Sequence, residues 1–303
     1  MSSRCQLTLG VAAVLIGSFS ASPVFVQVAR AQSAAALVSD LTGSASIQST
    51  TRKAVPVERF DAIAVDVVIE VGPESRVTLV LAGGKRFELG PGARATIAVD
   101  RLTSQSGPIT QLTSLPPMPR IAALDASRPK GPPGGIRLRG PRISRLDPFD
   151  AVTLATHTRL RFAIVAGAGK YGIEIEDHSG RRVFGVETSD SDVMVPSGVL
   201  EPGVAYEWTV RTLDLFGATA RGTGQFRTLS SEDERDREAL RRSLDAEGGA
   251  RALALLAAVD QRLGLYAEAL EGFREALRRT PDDMAIALAI RSLEELLEHA
   301  SPK

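Results

Sequence analysis

Histidine is the side chain best placed for acid–base or metal chemistry near neutral pH, and this chain has three, His157, His178 and His299. No two of them stand a helical turn apart, so the His-x-x-x-His spacing that puts two ligands on one helix face is missing. Each is expected at the surface. Carboxylates come next. Glu174 and Glu176 alternate with Ile173 and Ile175, which on a strand puts the acids together on one face and the isoleucines on the other. That is the pattern of a solvated face, whereas a carbohydrate-active enzyme needs an acid pair set in a cleft. Asp190 and Asp192 lack the glycine and distal glutamate of a calcium loop. Ala166-Gly167-Ala168-Gly169 runs into Tyr171 and a further strand pattern, where a nucleotide-binding turn requires a helix. No Gly-x-Ser-x-Gly occurs and Cys5 is the only cysteine. The sequence thus predicts a protein that is not an enzyme and has no cofactor or metal.

Residues suited to contact stand in two places. Between Pro116 and Leu146 seven basic residues, Arg137, Arg139 and Arg142 among them, face Asp125 alone, a local excess of +6 in a chain with 36 basic and 36 acidic residues. This tract reads either as a solvated spacer or as a dock for an anionic envelope polymer such as peptidoglycan, or for lipid head groups. No aromatic residue interleaves with the arginines, so nucleic acid is not expected. The second place is the C-terminal segment, where Tyr266, Phe273 and Arg274 are the residues expected to touch a protein partner.

The elements that must hold these residues are read from apolar period. Val65 to Val71, Val77 to Leu81, Phe87 to Leu89 and Ala93 to Val99 alternate as strands, with reversals at Gly83-Gly84 and at Gly90 to Gly92, and are expected to succeed one another as an antiparallel meander. Prolines and a Gly134-Gly135 pair mark residues 106–150 as an extended linker. Six further strands are expected from Leu160 to Thr228, with a hairpin turn at Asp177 to Gly180. Beyond Ser231 the period becomes 3.6. A capping box at Ser231 to Glu234, a break at Gly264 and a start at Thr280-Pro281 divide four helices. At 303 residues, several units are expected.

The N-terminus reads as an export signal: Arg4, an apolar Leu7 to Phe19, and Ala29-Arg30-Ala31 as the cleavage site, with cleavage after Ala31 into the periplasm. Retention of Leu7 to Ala29 as an anchor is the alternative. Cys5 leaves with the signal, so the mature chain relies on packed cores rather than disulfides.

Three resemblances sharpen this outline. The order Leu41-Thr42-Gly43, Val57 to Ile63, Val77 to Leu81, Gly84, Phe87 to Leu89 and Gly92 to Ile97 resembles the FecR-type periplasmic domain over residues 36–105. That family's pattern runs Gly-Asp-x-aliphatic-x-x-Gly, then an Asp-Gly turn, then Pro-Gly. Here Phe60-Asp61 stands for Gly-Asp, and Ala82-Gly83-Gly84 for Asp-Gly. Leu200-Glu201-Pro202-Gly203-Val204-Ala205-Tyr206, within residues 151–229, resembles the tyrosine corner of fibronectin type III domains, which implies a sandwich with the Tyr206 ring in the core and its hydroxyl bonded to the preceding loop. Leu263-Gly264-Leu265-Tyr266-Ala267-Glu268-Ala269, with Phe273, Ala276 and Pro281, resembles one tetratricopeptide repeat within residues 231–299.

The expected fold class is mainly β with a C-terminal α segment: a FecR-like domain, a fibronectin III-like sandwich and a helical hairpin tail. The expected function is a non-enzymatic exported scaffold that binds wall material, or an envelope protein through its helices. The alternative is a component of a FecR-like periplasmic sensing system.

Overall fold

A computed structural model of the chain describes residues 34–49, 53–119, 142–213 and 219–300, without the side chains of the last two. The expected cleavage site, Arg137 and Arg139 lie outside the described residues. Mostly antiparallel sheets come first, and the four helices found among the described residues come last. None of these helices is long and apolar enough to cross a membrane.

Among the described residues ten strands build the first part: β1 (Ala34–Thr42), β2 (Ala45–Gln48), β3 (Val55–Pro56), β4 (Ala62–Ala64), β5 (Val67–Val71), β6 (Arg76–Leu81), β7 (Arg86–Leu89), β8 (Arg94–Ile97), β9 (Leu102–Ser106) and β10 (Ile109–Leu112). They form two five-stranded sheets, β10-β7-β6-β1-β4 and β3-β2-β5-β8-β9. The expected hairpin is β6–β7, paired antiparallel from Val77↔Leu89 to Val80↔Arg86. Its turn rests on Gly84, where φ is 82° and a Cβ would fall 2.2 Å from the Leu115 carbonyl oxygen. The strands do not continue as the expected meander. After Gly90 to Gly92 the chain crosses to the other sheet, where β8 pairs with β5 and β9. The crossing lets Val77, Leu79, Leu81 and Leu89 of one sheet bury against Val67, Ile69, Ala95 and Ile97 of the other; fully burying such a side chain contributes about 1.5–3 kcal/mol.

The expected linker is shorter than 106–150. Residues 109–112 form β10 against β7, and Leu115 and Met118 are buried. At the far end Ile143 and Leu146 are buried in the second β part. Proline is tolerated at such margins, since it forfeits no ladder hydrogen bond there.

The second part comprises β11 (Ala151–Thr153), β12 (Arg159–Arg161), β13 (Tyr171–Asp177), β14 (Arg182–Thr188), β15 (Asp192–Met194), β16 (Ala205–Thr212) and β17 (Arg221–Thr228). A five-stranded sheet, β11-β17-β16-β13-β14, covers the small pair β12-β15. Tyr206 and Trp208 point together into the core between them. The Tyr206 hydroxyl accepts the Glu201 N–H at 2.8 Å, the loop bond implied by the corner spacing. Trp208 donates its Nε1–H to the Pro148 carbonyl at 2.9 Å. Gly224 is obligatory beside it, since a Cβ there would sit 2.6 Å from that nitrogen.

The helices are α1 (Ser231–Glu247), α2 (Gly249–Leu263), α3 (Tyr266–Arg279) and α4 (Met284–Ala300). Two of their starts differ from expectation. Ser230, not Ser231, caps α1: its hydroxyl accepts the Asp233 N–H at 3.1 Å and donates to the Asp233 carboxylate. Asp283, not Thr280-Pro281, caps α4 by accepting the Ile286 N–H at 3.2 Å. In both cases the side chain three residues before an orphan N–H wins the helix start.

These helices are not a free tail. Their core, with Leu240, Leu255, Val259, Phe273 and Ile286, is continuous with Leu37, Phe60, Val80, Leu115 and Met118 of the first part and touches Val152 and Leu154 of the second. Leu37 and Val80 are register partners on β1 and β6. One face of that sheet therefore packs on its companion sheet and the other on helices, which is why Ala35, Ala36, Leu37 and Val38 are all buried in succession. The described residues all fall in one compact unit.

One residue at this seam is held in an unfavourable backbone. Phe60 has φ 74°, a left-handed conformation that costs a side-chain-bearing residue about 1–2 kcal/mol. Its ring lies 5.3 Å from that of Phe273 and 4.8 Å from the Arg59 guanidinium carbon, and its carbonyl accepts the Arg262 Nη2–H at 2.9 Å. Packing across the seam offsets the strain.

Candidate functional site

The α2–α3 turn docks on the second β part. Gly264 ends α2 at φ 81°, which its lack of a Cβ permits, and its carbonyl accepts the Val152 N–H of β11 at 3.1 Å. This contact sets Tyr266 and Glu268, in the first turn of α3, against the end of the five-stranded sheet. Two clefts open along the seam, and Tyr266, Ala151 and Val152 line both.

The smaller cleft, about 70 Å³, collects Asp147, His157, Arg159, Arg161, Glu268 and Glu271. Asp147 and Glu268, distant in sequence, make an acidic pairing that sequence reasoning did not find. Arg161 lies 3.7 Å from Asp147 and 3.4 Å from Asp192. Burial pushes the Asp147 carboxyl up, against the attraction of Arg161 and with the repulsion of Asp192. Burial pushes Glu268 up to about 7; its own backbone N–H and Arg237 pull it down, while Asp260 and Asp147 add to the rise. Small-molecule pockets run to about 300–1,000 Å³, so this cleft admits a few waters and no sugar ring.

The raised Glu268 carboxyl makes stability depend on pH. A free glutamate titrates near 4.3, and Glu268 in the folded chain titrates at about 7. Between those values the native state holds a proton that the unfolded chain has released, so this group's contribution falls as pH rises through the window and is lowest above it. Glu268→Gln is expected to leave stability nearly unchanged near pH 4 and raise it by about 3.5 kcal/mol at pH 8. Thermal melts of both proteins at the two pH values check this, and a gap that does not change with pH would refute it.

The larger cleft is an open groove of about 1070 Å³ between the end of the sheet and the last turns of α4. Phe149, Tyr206, Phe226, Tyr266, Leu296 and Leu297 line it together with Glu176, Glu207 and Arg227. Asp177 lies at its rim but is engaged in its own hairpin turn, where Oδ1 accepts from the Ser179 N–H and hydroxyl and from the Arg181 N–H, and Oδ2 from Arg181 Nε. Those hydrogen bonds, the Ser179 hydroxyl first, hold its carboxyl far below the usual range.

The residues expected to make contacts are scattered. Tyr266 is half-buried and faces the clefts. Phe273 is fully buried against Phe60 and reaches no partner; it belongs to the seam because Ala269 and Ala276 let α3 sink between its neighbours. Arg274 is exposed and pairs with Glu294 of α4 at 2.6 Å. Arg142 is exposed beside Arg221, to which it is bridged through the backbone. Among the described residues of this set, Tyr266 is the one that lines these two clefts. Glu174 and Glu176 share the exposed face as the alternation implied, yet only Glu176 reaches the groove. Among the described residues no group of three His, Cys, Asp or Glu side chains is placed to hold a metal ion.

No family model matches the chain, and no curated protein matches it. Among solved structures it is similar to a β-D-glucuronidase of Dictyoglomus thermophilum, at 11% identity over 63% of this chain and 43% of that one, with a TM-score of 0.20. A likeness this slight bears on neither fold nor chemistry.

Proposed function

We propose that the protein is a non-enzymatic scaffold exported to the periplasm after cleavage at Ala31, binding wall material or an envelope protein. The observation that carries this reading is the open groove of about 1070 Å³ at the seam of the second β part and the helices, a preformed surface on one compact unit.

In the FecR-type pattern, the two glycines of Gly-Asp-x-aliphatic-x-x-Gly fall on Phe60 and Asp66, whose φ values are 74° and 59°. The later glycines fall on Gly84 and Gly92, at 82° and 68°. Left-handed backbone at all four positions supports a FecR-like first domain, since that is where glycine is the usual residue. The Glu201–Tyr206 bond supports a fibronectin III-like second one. Close approach of α2 and α3, with Gly272 facing Ala257, supports a tetratricopeptide-like hairpin.

Co-sedimentation of the purified chain with peptidoglycan sacculi tests the wall-binding arm. Pelleting that weakens at raised salt is the result expected if the Arg-rich tract makes the contact, because exposed charges are screened within about 10 Å at 0.1 M. Pelleting indifferent to salt would move the contact to the β parts, and none at either salt would remove wall material from the proposal.

A further inference from the structure

The groove has a charge row that the sheet alone does not satisfy. Glu176 on β13 and Glu207 on β16 are register partners, and both are exposed on the same sheet face. Like charges directly opposite each other destabilise a sheet. One step along that face Glu174 is neutralised by Arg182 at 3.1 Å and Arg211 at 3.4 Å. Among the described residues no such ion pair reaches Glu176 or Glu207; Glu207 receives only the Gln225 amide at 3.3 Å. The groove's far wall offers apolar surface at Tyr266 and at Leu296, which is 36% exposed, with Ser292 and Glu295 beside them.

A cation would cancel the repulsion, but a bare ion leaves the apolar wall unused. We infer that the groove binds an extended polypeptide segment in which an arginine or lysine is flanked by apolar residues, the cation lying over Glu176 and Glu207 and the apolar neighbour against Tyr266 and Leu296. A guanidinium fits the pair best, since its planar fork can donate to two carboxylates at once. This rests on reading the chain as a binding protein and names the class of its protein partner. Peptide binding uses no wall and sacculus pelleting uses no peptide, so either can fail alone.

The test is fluorescence anisotropy of the purified chain with a labelled Gly-Arg-Leu-Gly-Arg-Leu-Gly peptide and with its Glu-for-Arg and Ser-for-Leu counterparts. The Arg-Leu peptide is expected to bind. The double variant Glu176→Gln/Glu207→Gln should weaken it by at least about tenfold and Leu296→Ser by about threefold, while Glu174→Gln leaves it unchanged. Relief of the repulsion should also raise the melting temperature of the double variant by about 1–3 °C, which separates lost binding from lost folding. Equal binding of the Glu-Leu or Arg-Ser peptide, or unchanged affinity in the double variant, would overturn the inference. Self-association in sedimentation velocity that the double variant abolishes would make a second copy of the chain the occupant, and would overturn it too.

Discussion

Asp260→Ala is expected to destabilise the protein by about 3–5 kcal/mol. Asp260 of α2 accepts Arg237 of α1 through both oxygens, at 2.5 and 2.7 Å, with the two side chains only 3% and 10% exposed. Burial opposes the charge on Arg237, but hydrogen bonding to Asp260 and its attraction outweigh this and raise the Arg237 pKa. Burial raises Asp260 in turn, against the same guanidinium. Each charge is tolerable only while the other is there. Apart from Arg237, the buried residues of α1 are Leu240 and Leu244. Truncating Asp260 leaves the buried guanidinium without its hydrogen-bonded carboxylate, and the weaker attraction of Glu268 does not replace those two bonds. Replacing both residues by apolar ones of similar volume, Arg237→Met with Asp260→Leu, should recover most of the loss, because the desolvation cost of the pair disappears with the pair. Denaturant unfolding of the three proteins checks this; a loss below about 1 kcal/mol for Asp260→Ala would mean that the pair is not buried in solution.

Phe273→Ala is expected to cost a similar amount, about 3–5 kcal/mol, as lost transfer energy plus the cavity left behind. The ring is fully buried on α3 and meets Phe60 of the first part. Its removal takes away the contact that offsets the left-handed φ of Phe60, so the two positions should be coupled. In a Phe60→Gly background, where the backbone strain is relieved and the ring is already gone, the cost of Phe273→Ala should shrink by more than about 0.5 kcal/mol. A double-mutant cycle by thermal or denaturant unfolding measures this. Strict additivity would show that the helices and the first β part are not energetically joined at this point.

The elements with short-range causes were legible in the residues. Alternation placed β5, β6 and β13. The spacing from Leu200 to Tyr206 implied the hydroxyl bond to Glu201, because that bond closes within one turn of chain. Asp177 to Gly180 formed its hairpin turn for the same reason. Helix ends came out within a few residues, and the true caps at Ser230 and Asp283 differ because several Ser, Thr and Asp side chains compete for the same orphan N–H groups.

Only tertiary structure decided the rest. Whether β8 pairs with β7 or crosses to β5 depends on which pairing closes the core, and either is compatible with its alternating pattern. A helix with an apolar stripe reads the same whether it trails from the chain or fills the space between two β parts, so the burial of Phe273 was invisible in a period of 3.6. The acidic pairing of Asp147 with Glu268 and the groove from Glu176 through Glu207 to Leu296 have no sequence signature at all. Residue order encodes local hydrogen bonding and which faces must be buried; which distant faces then meet is set by the packing that leaves least apolar surface in water.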